Sequence, residues 1–170
     1  MASLMDNLVE VLEAENTQYQ RLVDLSKDKK RAIIQADIRT LEHITEQEQE
    51  ISSLLRNLDI RRDAVIKDMA DVLGKNFEEM TITRLIGYLE QQPKEQERLS
   101  RIREKILATG NEMQEWNKRN GVLLNQALEM AEFDLTLFKS MRQAPETANY
   151  DKNAYNTGEL LGQSGFDAKQ

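Results

Sequence analysis

Apolar residues spaced by three and four, carried without a slip from Leu41 to Val72, constrain this chain more than any other feature. The positions are Leu41, Ile44, Glu48, Ile51, Leu55, Leu58, Arg62, Val65, Met69 and Val72. A strand would alternate every second residue, so this spacing demands a helix with one buried seam, sustained over more than four heptads. Glu48 and Arg62 are its polar members, and polar seam residues set register at some cost in stability. Asp37 suits the N-cap before the helix, and Gly74, with Lys75 and Asn76 after it, suits the stop.

The same spacing on Met5, Leu8, Leu12, Tyr19 and Leu22, flanked by Val11 and Leu25, predicts a first long helix starting near Ser3. Lys27, Lys29, Lys30 and Arg31 crowd its last turns, where cations favour the negative end of the helix dipole. This run has no interleaved aromatics, so it reads as a solvated helix end. A short helix around 82–90 follows, capped by Thr81 and carrying Leu85, Ile86 and Leu89, before Pro93 breaks the chain. The third long helix has the seam Leu99, Ile102, Ile106, Met113 and Trp116. From Val122 its apolar stripe widens through Leu123, Leu124, Ala127, Leu128, Met130, Ala131, Phe133, Leu135, Leu137 and Phe138. A two-helix seam does not need that much apolar surface. Two readings stand side by side: the stripe faces both other helices in a core, or it binds a partner.

After Met141 the periodicity stops. Pro145, Gly158, Gly162 and Gly165 punctuate a polar stretch whose apolar residues are Tyr150, Tyr155, the Leu160-Leu161 pair and Phe166. Such a stretch buries too little to offset its ordering entropy and is expected to be disordered alone, its apolar residues acting as separate anchors. The expected fold is all-α: an elongated antiparallel helical bundle, or coiled coil, of three long helices (4–35, 38–73 and 94–141) plus one short helix. The expected division is a helical bundle over 1–142 and a flexible C-terminal tail over 143–170.

Composition narrows the function. With 23 Lys and Arg against 30 Asp and Glu the net charge is −7, which argues against a nucleic-acid binder. No cysteine means no disulfide and no thiolate metal site or nucleophile. No stretch approaches the roughly 18 apolar residues of a membrane span, so no membrane insertion is expected. The N-terminus shows neither a basic n-region nor an apolar h-region, so the expected location is the cytoplasm. His43 is the single histidine and sits beside Glu42, just off the seam, with no Glu-x-x-His pair anywhere. No glycine-rich phosphate loop or Gly-x-Ser-x-Gly elbow occurs. The expectation is therefore no catalytic residue, no metal, no cofactor and no enzyme activity.

Several stretches carry a resemblance. Leu12-Glu13-Ala14-Glu15-Asn16-x-x-Tyr19-x-x-Leu22-x-x-Leu25 leads into Lys29/Lys30 and Ala32-Ile33-Ile34-Gln35-Ala36-Asp37-x-x-x-Leu41-x-x-Ile44. Asn117-x-x-Asn120-Gly121-x-Leu123-Leu124 follows in the third helix, and Gly165-Phe166-Asp167-Ala168-Lys169 near the end. In order and spacing these resemble the FlgN-type flagellar export chaperones, with a departure in the Gln- and Glu-rich connection around Glu90 and Glu97. The resemblance implies a cytoplasmic chaperone that binds the helical ends of hook-filament junction proteins, prevents premature assembly and delivers them to the export gate. On that reading Leu124, Leu128, Ala131, Leu135 and Phe138 bind the client's amphipathic helix, and Leu160, Leu161 and Phe166 close over it. Tyr150 or Tyr155 would meet the export machinery. The competing reading is a structural coiled-coil adaptor, whose seams would be satisfied in a homo-oligomer.

Overall fold

The computed structural model describes residues 2–147, with side-chain surroundings for residues 3–142. Among the described residues four α-helices follow one another: α1 (Ala2–Gln35), α2 (Ile38–Leu73), α3 (Ile82–Tyr88) and α4 (Pro93–Thr147), with a 3-10 turn at Phe77–Glu79 before α3. No strand occurs among the described residues. The fold is an all-α helical bundle.

Two residues suffice to reverse the chain between α1 and α2. Ala36 takes a left-handed conformation, φ 52°, and Asp37 then caps α2. The Asp37 carboxylate accepts from the Thr40 N–H at 3.1 Å and from its hydroxyl at 2.6 Å. These bonds hold its pKa below the usual carboxylate range, the hydroxyl contributing most. At the far end Gly74 adopts φ 63°, a conformation that costs a residue with a Cβ, and its N–H satisfies carbonyls of the last turn. Thr81 caps α3 by accepting from the Arg84 N–H at 3.2 Å, and Pro93 opens α4, where its missing N–H is not needed.

The chain divides into two compact units, Met1–Ala127 and Leu128–Gln170. In the first, α1 and α2 lie antiparallel. Two pairs across their seam share one register: Arg62 donates twice to Glu15 (2.9 and 3.1 Å) and Lys29 twice to Glu48 (2.9 and 3.0 Å). Fourteen residues forward on α1, from Glu15 to Lys29, match fourteen back on α2, from Arg62 to Glu48. A third helix joins them, since Arg98 bonds Asp6 at 2.9 Å and Asn120 bonds Ser26 at 2.8 Å. Both partners advance together, so α4 runs parallel to α1 and antiparallel to α2.

The core is concentrated at the end where α3 packs. Met5, Leu8 and Leu12 of α1, Val65, Ile66, Met69 and Ala70 of α2, Leu85 and Leu89, and Leu99 and Ile102 of α4 belong to one buried cluster. Away from it the seam thins. Ile44 and Ile51 are buried as expected, but Leu41, Leu55 and Leu58 are half-buried, and Val72 is 61% exposed. At Val72 the expected seam has drifted, because α3 widens the buried face of the last turns to Ile66, Ala70 and Leu73. The first helix starts at Ala2, one residue before Ser3, and α4 runs past Met141 and the 142/143 boundary to Thr147.

Candidate functional site

In the second unit every described side chain from Leu128 to Arg142 is exposed. At about 100° per residue, Leu128, Ala131, Leu135 and Phe138 share one face of α4, while Leu124 belongs to the first unit. Leu128, Leu135 and Phe138 are 56–60% exposed, and Leu124 in the first unit is 42% exposed. A second apolar stripe, Met130, Phe133, Leu137 and Met141, lies about a third of a turn around the helix and is also exposed. Asp134 separates the two. Glu129, Glu132, Thr136 and Lys139 occupy the remaining, polar side.

Of the two readings of the widened stripe, packing in the bundle core is not what the structure shows for residues 128–142. The arrangement is one helix with a broad apolar arc, opposite a charged face. It can bury a second amphipathic helix laid along it. Single exposed leucines are ordinary on protein surfaces, whereas seven large apolar side chains within 14 residues form a patch of the kind that marks an interaction site. Arg142 sits 5.4 Å from the Phe138 ring centroid and shields part of it. Tyr150, Tyr155, Leu160, Leu161 and Phe166 lie outside the described residues.

The first unit holds the polar side chains that sequence reading partly missed. Thr109 and Asn120 are buried on α4. They fill the seam Leu99, Ile102, Ile106, Thr109, Met113, Trp116, Asn120 and Leu123, which a strict count of three and four from Leu99 would have reached. Asn120 donates to the Ser26 carbonyl, while its own Oδ1, like that of Asn16, has no partner. An unmet buried acceptor costs stability, and a single polar seam residue fixes which turn of α4 meets which turn of α1. Glu15 is the most buried carboxylate. Burial raises its pKa above the usual value, against the opposing charge and hydrogen bonds of Arg62, and Asp59 and Asp63 add to the rise. His43 is exposed on the surface of α2, with Nδ1 4.0 Å from Glu46. Among the described residues no group of acidic or histidine side chains could hold a metal ion. None of their helices is long and apolar enough to cross a membrane.

Comparison with curated proteins and with solved structures returned no match. The profile of the FlgN protein family matches residues 1–158, nearly the whole chain, in agreement with the motifs read from the sequence. The chain belongs to the FlgN family of flagellar export chaperones.

Proposed function

We propose that this chaperone binds the helical ends of hook-filament junction proteins, keeps them from assembling prematurely and delivers them to the export gate in the cytoplasm. The observation that carries the reading is the exposed apolar arc of α4, which has no neighbour among the described side chains of its own unit. A client's amphipathic helix would place its apolar face on Leu124, Leu128, Ala131, Leu135 and Phe138. Leu160, Leu161 and Phe166 would then close over it, and Tyr150 or Tyr155 would remain for the export machinery. Ordering such a tail on binding lowers net affinity, which suits a carrier that must release its cargo.

Calorimetric titration with a hook-filament junction protein tests this. Leu128→Ser combined with Leu135→Ser is expected to weaken binding at least about tenfold, about 1.4 kcal/mol, while leaving the helix signal intact because neither side chain is buried. Deleting residues 143–170 is expected to weaken it by a similar factor. Unchanged affinity in the double variant removes the arc from the mechanism. Absence of binding by the full chain, together with self-association in sedimentation, favours the coiled-coil adaptor.

A further inference from the structure

A different surface lies within the first unit, centred on Trp116. Lys30 of α1 reaches to 5.9 Å from the indole centroid, and Arg119 of α4 to 5.6 Å. A groove of about 530 Å³ adjoins them, lined by Lys30, Glu115, Lys118, Arg119, Val122 and Leu123. Its lining is largely apolar. Ile34, one turn further along the Lys30 face of α1, is 64% exposed.

The charges around this groove are unusual for the chain that carries them. The protein is net −7, yet three cations stand at this one rim against a single carboxylate, Glu115, which Arg119 already pairs at 3.5 Å. Lys30 and Lys118 have no carboxylate within ion-pair distance among the described residues, whereas their neighbours Lys27, Lys29 and Arg31 each have one. Lys30 belongs to the basic run near the end of α1. That run does meet an aromatic, contributed by a helix far away in sequence.

We propose that this groove docks an acidic segment of a partner protein, with a leucine or aromatic side chain in the groove and carboxylates on Lys30, Lys118 and Arg119. Arg119 lines the groove and Trp116 adjoins it through its contacts with Lys30 and Arg119, and Trp and Arg are among the side chains that contribute most at protein interfaces, since they bring large area and cation–π contacts. The unpaired lysines supply charge complementarity, which sets partner choice and speeds encounter. A membrane or nucleic acid is the poorer occupant: it would set the overall negative charge against a polyanion, and it would leave the apolar groove without use. The proposal is independent of whether the α4 stripe at 128–142 binds a client.

Trp116 is the only tryptophan, so its fluorescence reports on this groove directly. The probe is a synthetic peptide of two Leu-Glu-Glu-Leu-Glu-Glu-Ala heptads, titrated into the full chain beside the same peptide with lysine at every glutamate. A saturable change in emission with the glutamate peptide alone is expected, weakening as salt rises. Lys30→Glu with Lys118→Glu, both on the solvated rim, is expected to weaken that binding by at least about tenfold with the circular dichroism unchanged. The peptide pair needs no variant, so the charge comparison survives even if the double substitution were to disturb the fold. Equal responses to the two peptides, full affinity in the double variant, or no response overturns the proposal. So does tighter binding of phosphatidylglycerol vesicles or a single-stranded oligonucleotide through the same lysines, which would make the patch a polyanion surface.

Discussion

A carboxylate taken out of water loses hydration worth several kcal/mol, and at Glu15 the guanidinium of Arg62 returns only part of it. The two partners are therefore unequal. Glu15→Gln keeps the shape and removes the buried charge, and is expected to change stability by less than about 1 kcal/mol in urea unfolding. Arg62→Met leaves the Glu15 carboxylate uncompensated among Asp59 and Asp63, and is expected to cost on the order of 3 kcal/mol. The sign of the pH dependence follows from the raised pKa of Glu15. The folded state holds that proton more tightly than the unfolded chain. The contribution of Glu15 is therefore complete below the ordinary value of 4.5 and is lost as pH rises through the folded value. Relative to Glu15→Gln, the natural chain should lose stability as pH rises above the ordinary value of 4.5. A difference that does not vary with pH would show the carboxyl to be unperturbed.

At the scale of the helix, the charged seam pairs do more for alignment than for stability. Sliding α1 one heptad along α2 would set Glu15 against Leu55 or Met69, and Lys29 against Leu41 or Leu55, burying charge against hydrocarbon in either direction. The apolar seam alone would tolerate that slip. Its strength varies along its length: Ile51→Ala, at a fully buried site, should cost about 2–5 kcal/mol, and Leu55→Ala, half-buried, clearly less. Equal losses in thermal unfolding would contradict the packing described. In α4, a Cβ at Gly121 would meet nothing within 4 Å, so Gly121→Ala should raise stability by about 0.5–1 kcal/mol. Much of this was legible in the sequence. The bounds of α2, its two caps and the short α3 follow from seam spacing and from Asp37, Gly74 and Thr81. The pairing of Glu48 and Arg62 was half-legible: counting α1 by threes and fours through its polar residues places Glu15 and Lys29 on the same seam. What spacing could not show is which face of a helix loses its neighbours. The outward turn of Val72 depends on where α3 packs, and the meeting of Lys30 with Trp116 depends on the α1–α4 register.

Across the whole molecule, burial is distributed unevenly. Among the described residues, every buried one lies between Met5 and Asn120, inside the first unit, and none between Leu128 and Arg142. Removing residues 128–170 should therefore leave the melting midpoint within about 3 °C of the full chain. A fall of about 10 °C or more would mean that the second unit supports the first. Within the first unit, the cluster of Met5, Leu8, Met69, Leu85 and Leu99 sits at one end, while the two-residue reversal at Ala36 and Asp37 sits at the other with exposed Ile34 and Ile38 beside it. A bundle built this way has a gradient in its backbone openings. Amide protons of the Ala36–Asp37 hairpin and the turns next to it should exchange with deuterium through local fraying, at little free-energy cost. Those near Leu8, Met69 and Leu99 should exchange only when the unit opens as a whole, so the protein comes apart from the hairpin toward the α3 end.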